Sequence, residues 1–156
     1  MSPRKIVAFS VMSVLLPVTV QAEEIGAAYG YTLGMPMSDV QVLSTQAAEY
    51  GDTLYVVKPA ANTATDSGVQ TVLLGTGKDG RHVARIIGRS PPMPASNCFS
   101  QLARTVAGLR QRHPDSGYYA MDDNDMIYQQ NRSILLSCEE EGGQNRLVIE
   151  YRDDQL

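Results

Sequence analysis

Two cysteines, Cys98 and Cys138, are the only ones in this chain, and they restrict its fold more than any other feature. In an oxidising compartment they have a single intramolecular pairing. That bond closes a loop of about 41 residues, which the chain-entropy argument values at roughly 4 kcal/mol. Small domains have net stabilities of only about 5–15 kcal/mol. Whatever forms around residue 98 is therefore expected to lie against whatever forms around residue 138.

The first residues carry the pattern of an export signal that would supply such a compartment. Arg4 and Lys5 give a basic start, Ile6 to Val20 is almost wholly apolar, and Val20-Gln21-Ala22 is a small-residue cleavage site. The apolar run is short for a membrane span and is interrupted by Pro17. The expectation is a cleaved secretory signal over 1–22, one domain over 23–156, a periplasmic location and no stable membrane anchor after cleavage. No cysteine stands at the cleavage point to carry a lipid.

Without Arg4 and Lys5, thirteen basic residues become eleven, against seventeen acids, a net charge near -6. That balance argues against nucleic acid as a partner. The charge is also segregated. Residues 78–112 carry Lys78, Arg81, Arg85, Arg89, Arg104, Arg110 and Arg112 against Asp79 alone, whereas 113–156 hold ten acids against three arginines. Either the two halves neutralise each other within the molecule, or the protein is dipolar.

The element pattern is α+β. Apolar Phe99, Leu102, Ala103, Val106 and Leu109 recur at helical spacing and predict one long amphipathic helix, with Ser96 or Asn97 as its cap. The runs Thr53 to Lys58, Val69 to Leu74, His82 to Ile87, Ser133 to Glu139 and Arg146 to Arg152 predict strands, and Asp79-Gly80 predicts a hairpin turn. Ile127 to Gln130 reads as a short further strand, the stretch before it as an acidic loop, and residues 60–68 as a polar loop. Ser38 is placed to cap a short N-terminal helix over Asp39 to Ala48. The expected fold is a single antiparallel sheet of about five strands with the long helix packed on one face and the short N-terminal helix beside it.

Cys98 at a helix start has the alternative of acting as a nucleophile, because the helix dipole favours a thiolate there. The segment "SNCFSQLA" resembles the start of the cysteine helix in NlpC-type cell-wall peptidases, and that resemblance implies a histidine downstream on a strand. Here the downstream histidine is His113, fifteen residues along the same helix and so roughly 22 Å away, while His82 precedes the cysteine. The disulfide is the expected role, with a hydrolase built from Cys98 and His82 as the rival.

Other motifs fall short on spacing. "LGTGKDG" has Val72 where a phosphate loop needs its first glycine, and Asp79 follows Lys78. "DDNDM" begins like a calcium loop, but Met126, Ile127 and Ser133 occupy positions that need a ligand, glycine and glutamate. No GxSxG elbow or SxxK pair is present. No catalytic residues, metal site or cofactor are expected. Tyr118, Tyr119, Asp122, Asp123 and Asp125 are the candidate partner-binding residues: tyrosine brings contact area at low rotamer cost, and acids suit a basic partner. The expected function is non-enzymatic recognition of another protein in the cell envelope, as an inhibitor, immunity or assembly factor. The alternative is a small-ligand or metal carrier, for which Met35, Met37, His82 and nearby acids are the candidate cluster.

The series "GYTLGMPMSDV", "LYVVKP", "GLRQRHPDSG" and "RSILLSCEEEGGQNRLVIEYRD" resembles a loose set of small exported bacterial proteins of unassigned function. These share a Leu-Gly-Met opening and a last strand reading Leu-x-Ile-x-Tyr-x-Asp. The opening is also similar to that of small outer-membrane assembly components of the BamE type, whose lipid-bearing cysteine is missing here. The resemblance implies an exported α+β fold and brings no catalytic residue with it.

Overall fold

The computed structural model describes residues 23–48, 51–60 and 68–156. The export signal expected over 1–22 and most of the polar loop expected over 60–68 lie outside these residues.

The chain is mostly β. A small hairpin, β1 (Ala27–Ala28) with β2 (Tyr31–Thr32), precedes a 3-10 turn at Met37–Asp39. There follow β3 (Val42–Ala47), β4 (Thr53–Val57), β5 (Thr71–Thr76) and β6 (Val83–Arg89), then helix α1 (Ala95–Arg112). After the helix come β7 (Gly117–Ala120), β8 (Asn124–Gln129), β9 (Arg132–Glu141) and β10 (Gln144–Asp153). Strands β3 to β10 make one eight-stranded antiparallel sheet in the order β3-β4-β5-β6-β10-β9-β8-β7.

This corrects the expectation of about five strands and a short N-terminal helix. Residues 42–47 form an edge strand, because β-branched Val42 and Thr45 suit extended backbone, and Ser38, expected as a helix cap, lies inside a single 3-10 turn that Pro36 precedes and no side chain caps. The stretch after the long helix is a strand pair, β7 with β8, turning at Asp122-Asp123, where the Met121 N–H donates to Asn124 O at 2.7 Å.

Hairpin turns follow their residues. Gly142 and Gly143 both take positive φ, 62° and 81°, and join the ten-residue strands β9 and β10 with Glu141 paired to Gln144. That two-residue turn suits the right-handed twist of the flanking strands. Between β5 and β6, Asp79 Oδ1 accepts the N–H of Arg81 at 2.8 Å and of His82 at 3.1 Å. These bonds, the Arg81 amide first and then the His82 side chain, lower the Asp79 pKa to about 2.

Helix α1 begins at Pro94, whose O accepts the N–H groups of Asn97 and Cys98, and no side chain caps it. Ser96 and Asn97 lie inside the helix, because Pro94, with φ fixed at -58°, already occupies the capping position. It ends where the His113 N–H reaches Leu109 O and Pro114 prevents another turn. Its buried stripe is Cys98, Leu102, Val106 and Leu109. Phe99 and Ala103, expected on that stripe, are turned away, and Phe99 is 52 % exposed. The physical reason is the bond between Cys98 and Cys138 (S–S 2.08 Å, Cα–Cα 6.0 Å), which sets the rotational phase of the helix; the next residue then points about 100° away.

The helix and the N-terminal segment cover the same face of the sheet. Ile25, Tyr29 and Leu33 join Leu102, Val106 and Leu109 over Val72, Ile86, Ile127, Ile134, Leu136 and Ile149 in one core. Tyr29 lies on Gly88 and meets Tyr151 edge-on at 6.2 Å. The N- and C-terminal parts are tied by Arg132, which bonds both Ile25 O (3.2 Å) and buried Asp153 (3.0 Å).

Opening the disulfide tests how much the fold depends on it. Replacing both cysteines by serine is expected to lower unfolding free energy by up to about 4 kcal/mol in urea titrations, following the 40-residue separation it spans. Reducing agent should shift the wild-type curve and leave the variant's unmoved.

Candidate functional site: the sheet face away from the helix

Side chains alternate across each strand, so the register defines what lies on the face away from α1. Val56, Leu73, Ile87, Glu150, Leu135, Met126 and Tyr119 form a continuous cross-strand row from β4 to β7. Beside it runs Leu54, Gly75, Arg85, Arg152, Ser133, Tyr128 and Gly117. One end of this face is thus apolar, the centre charged, and the other end aromatic.

The apolar end is a second buried cluster of Leu54, Leu73, Ile87 and Val148, all from the sheet's own strands. Arginine stems help to shield it: a Cβ on Gly75 would lie 3.3 Å from both Cβ and Cδ of Arg85 and 3.4 Å from Leu54. Long basic side chains can cover apolar surface while the charged head stays polar-bonded.

At the centre, Glu150 Oε1 accepts Arg85 Nε at 2.6 Å and Arg152 Nη2 at 3.0 Å. Burial opposes ionisation of Glu150, but the bonds and charges of Arg85 and Arg152 outweigh it and hold the carboxyl below its ordinary range. This network orients three long side chains in the middle of an otherwise apolar platform.

At the aromatic end, Tyr128 lies flat over Gly117, where a Cβ would come within 2.2 Å of its ring. The missing side chain lets the ring cross onto the edge strand, and Tyr128 remains 46 % exposed beside Tyr119, which is 57 % exposed. Both rings sit on hydrogen-bonded strands, so their positions are largely fixed before any contact is made.

The five residues expected to bind a partner do not share one surface. Tyr119 is on the face away from α1. Tyr118 is on the helix side, where its hydroxyl donates to Asp125 and Arg110 lies 4.4 Å from its ring centroid. That hydrogen bond to a carboxylate is the main reason the Tyr118 pKa is raised. Asp122 and Asp123 project from the exposed hairpin tip. Tyr128, Met126 and the Arg85–Glu150–Arg152 network were not among the expected residues; only the cross-strand register brings them together.

Cys98 is fully buried and bonded to Cys138, so it presents no thiolate. His82 pairs with Asp79 in its own turn. Met35 and Met37 pack against the core, and no group of three or more His, Cys, Asp or Glu side chains that could hold a metal ion occurs among the described residues. A hollow of about 290 Å³ opens beside Arg85, lined also by Asp52, Thr53, Gly75 and Gly77. No helix among the described residues is long and apolar enough to cross a membrane. No protein-family model, curated protein or solved structure matches the chain.

Glu150→Gln separates the charge network from general packing. It leaves both arginines without their carboxylate and is expected to cost about 2 kcal/mol at neutral pH. A carboxyl whose folded pKa is depressed stabilises the fold above its unfolded pKa, and that contribution disappears as pH falls through the folded value. Wild type and Glu150→Gln should therefore converge in stability below the ordinary carboxylate range. Urea midpoints measured from neutral to acid pH check this, and a gap of constant size would contradict the assignment.

Proposed function

We propose that this is a non-enzymatic binding protein of the periplasm, exported by its N-terminal signal, that recognises another protein through the face of its sheet away from helix α1. The observation that carries the reading is the aromatic end of that face: Tyr119 and Tyr128 exposed on adjoining strands, with Met126 between them in the platform. Tyrosine and arginine are over-represented among residues that dominate protein interfaces. Rigid aromatic anchors next to an oriented Arg85–Glu150–Arg152 centre supply contact area and register. The Asp122-Asp123 tip beside them suits a partner with a basic rim, and acts on association rate more than on affinity. The acidic balance of the chain does not fit nucleic acid.

Site-directed photocrosslinking in the natively exported protein tests the reading. A photoreactive phenylalanine analogue at position 128 is expected to capture one protein, and Tyr119→Ala to weaken that capture at least tenfold, the loss expected of an anchor contributing about 2 kcal/mol. The same analogue at Arg104, on the outer side of the helix, should capture none. Equal capture from both positions, or capture from Arg104 alone, overturns the proposed face. Asp122→Asn with Asp123→Asn should slow association at low salt while leaving dissociation nearly unchanged.

A further inference from the structure

The segment that follows the expected cleavage point is laced to the body of the fold from its first residue. The N–H of Glu23 donates to Arg112 O at 3.2 Å, and Nδ1 of buried His113 donates to Glu23 O. Two residues on, the Ile25 N–H donates to Gln129 Oε1 at 3.3 Å, Ile25 O accepts Arg132 Nη1 at 3.2 Å, and the Ile25 side chain is buried in the core. The end of a domain frays unless it is tied down, and here α1, β8 and β9 each hold part of residues 23–25. Arg112 O lies in the last turn of α1. The last four carbonyls of a helix have no partner within it and form the negative end of its dipole. Leu109 O is met by the His113 N–H, after which Pro114 prevents a further turn. Arg112 O is met instead by Glu23, from the N-terminal segment.

On the reading that this chain is exported, we propose that removal of the signal creates a structural group: the α-ammonium of Glu23, freed by cleavage after Ala22, seats on the C-terminal end of α1 and caps the helix. A signal peptidase adds water across the Ala22–Glu23 bond. The C–N bond breaks, the hydroxyl goes to the Ala22 carbonyl carbon and the hydrogen to the Glu23 nitrogen. The new carboxyl ionises, and an α-amine, with an ordinary pKa of about 7.7–8.0, takes up a further proton at pH 7. A neutral N–H donor at the negative end of a helix thus becomes a cation with three donors, on a nitrogen already in hydrogen-bond contact with Arg112 O. Only a cut at this bond does so. A chain longer by two residues carries its charge up to about 7 Å further along.

The charges around the contact accommodate the new one. Three acids of the adjoining chain, Glu23, Glu24 and Asp115, stand against two arginines, Arg110 and Arg112. Arg132, which holds Ile25 O, is itself paired with Asp153. Burial is the main cause of the raised Tyr151 pKa, with Arg112 lowering it and Glu23 raising it, so both of those charges act at that ring beside the contact. An added positive charge therefore enters a site where acids already outnumber arginines.

The intact mass of the protein recovered from the cell envelope is expected to match a chain beginning at Glu23. A retained signal refutes the export reading itself and the cap with it, whereas cleavage at another bond leaves export standing and overturns the cap. On the purified, disulfide-intact mature protein, urea titrations at low salt then compare three N-termini: free Glu23, Glu23 acetylated at its nitrogen alone, and Glu23 preceded by Gly-Ser. Acetylation keeps the N–H and removes the charge. It is expected to lower the folded-to-unfolded ratio about two- to fivefold, the range for a cation at a helix C-terminus. The extended chain keeps the charge but moves it, and should fall with the acetylated form. An acetylated chain as stable as free Glu23, or an extended chain as stable as it, overturns the proposal.

Discussion

The bond between Cys98 and Cys138 is the constraint on which the arrangement of the two faces depends. It joins the first turn of the helix to the long hairpin of β9 and β10, the pair of strands with the most extensive register in the sheet. Once Cys98 is held there, helical geometry alone sends Leu102, Val106 and Leu109 into the sheet and Phe99 outward. The helix then occupies the face above β8, β9 and β10, and the N-terminal segment with Tyr29 fills the remainder over β6. Among the described residues both coverings lie on one side, and no helix lies over the opposite face.

A sheet face with no described helix over it has to satisfy two demands, shielding apolar side chains and keeping charged groups paired. Here the two are met by the same residues. The Arg85 stem lies against Gly75 near Leu54, and its guanidinium is held by Glu150. Arg152 reaches the same carboxylate oxygen from two residues along its strand. A buried carboxylate shared by two arginines is a weak source of net stability, since desolvation offsets much of the attraction. Its stronger consequence is orientation: three flexible side chains are given one arrangement beside the fixed rings of Tyr119 and Tyr128. The same pre-ordering lowers the entropy cost of any contact made at this face.

Much of this was legible in the sequence where local chemistry decides structure. Asp79-Gly80 marked its turn, the prolines before Ala95 and at Pro114 bounded the helix, and the pairing of the two cysteines followed from their number and the expectation of export. The strand count was not legible, for a physical reason. Edge strands such as β3 and β7 are exposed on most of their length, so they lack the apolar alternation that identifies a half-buried strand. The helix stripe was misread because Phe99 is apolar but a cysteine, a weaker apolar signal, sets the phase. Likewise Tyr118 and Tyr119 are adjacent in sequence and therefore on opposite faces of a strand, while Tyr119 and Tyr128 share a face across a register that only the fold establishes.

The segregation of charge along the sequence also resolves once the register is known. Arg85, Arg132, Arg146 and Arg152 pair with acids within the molecule, but Arg104, Arg110 and Arg112 of the helix take no part in the ion pairs among the described residues. These arginine ion pairs lie on the sheet strands, from half-buried Arg85–Glu150 to Arg146 with exposed Glu141 at the β9–β10 turn. The helix's outward arginines and the Asp122-Asp123 tip stay in solvent, where pairing contributes little to stability. Folding stability therefore gives little reason for that surface asymmetry; its physical effect is on encounter, where separated charge orients an approaching molecule before contact.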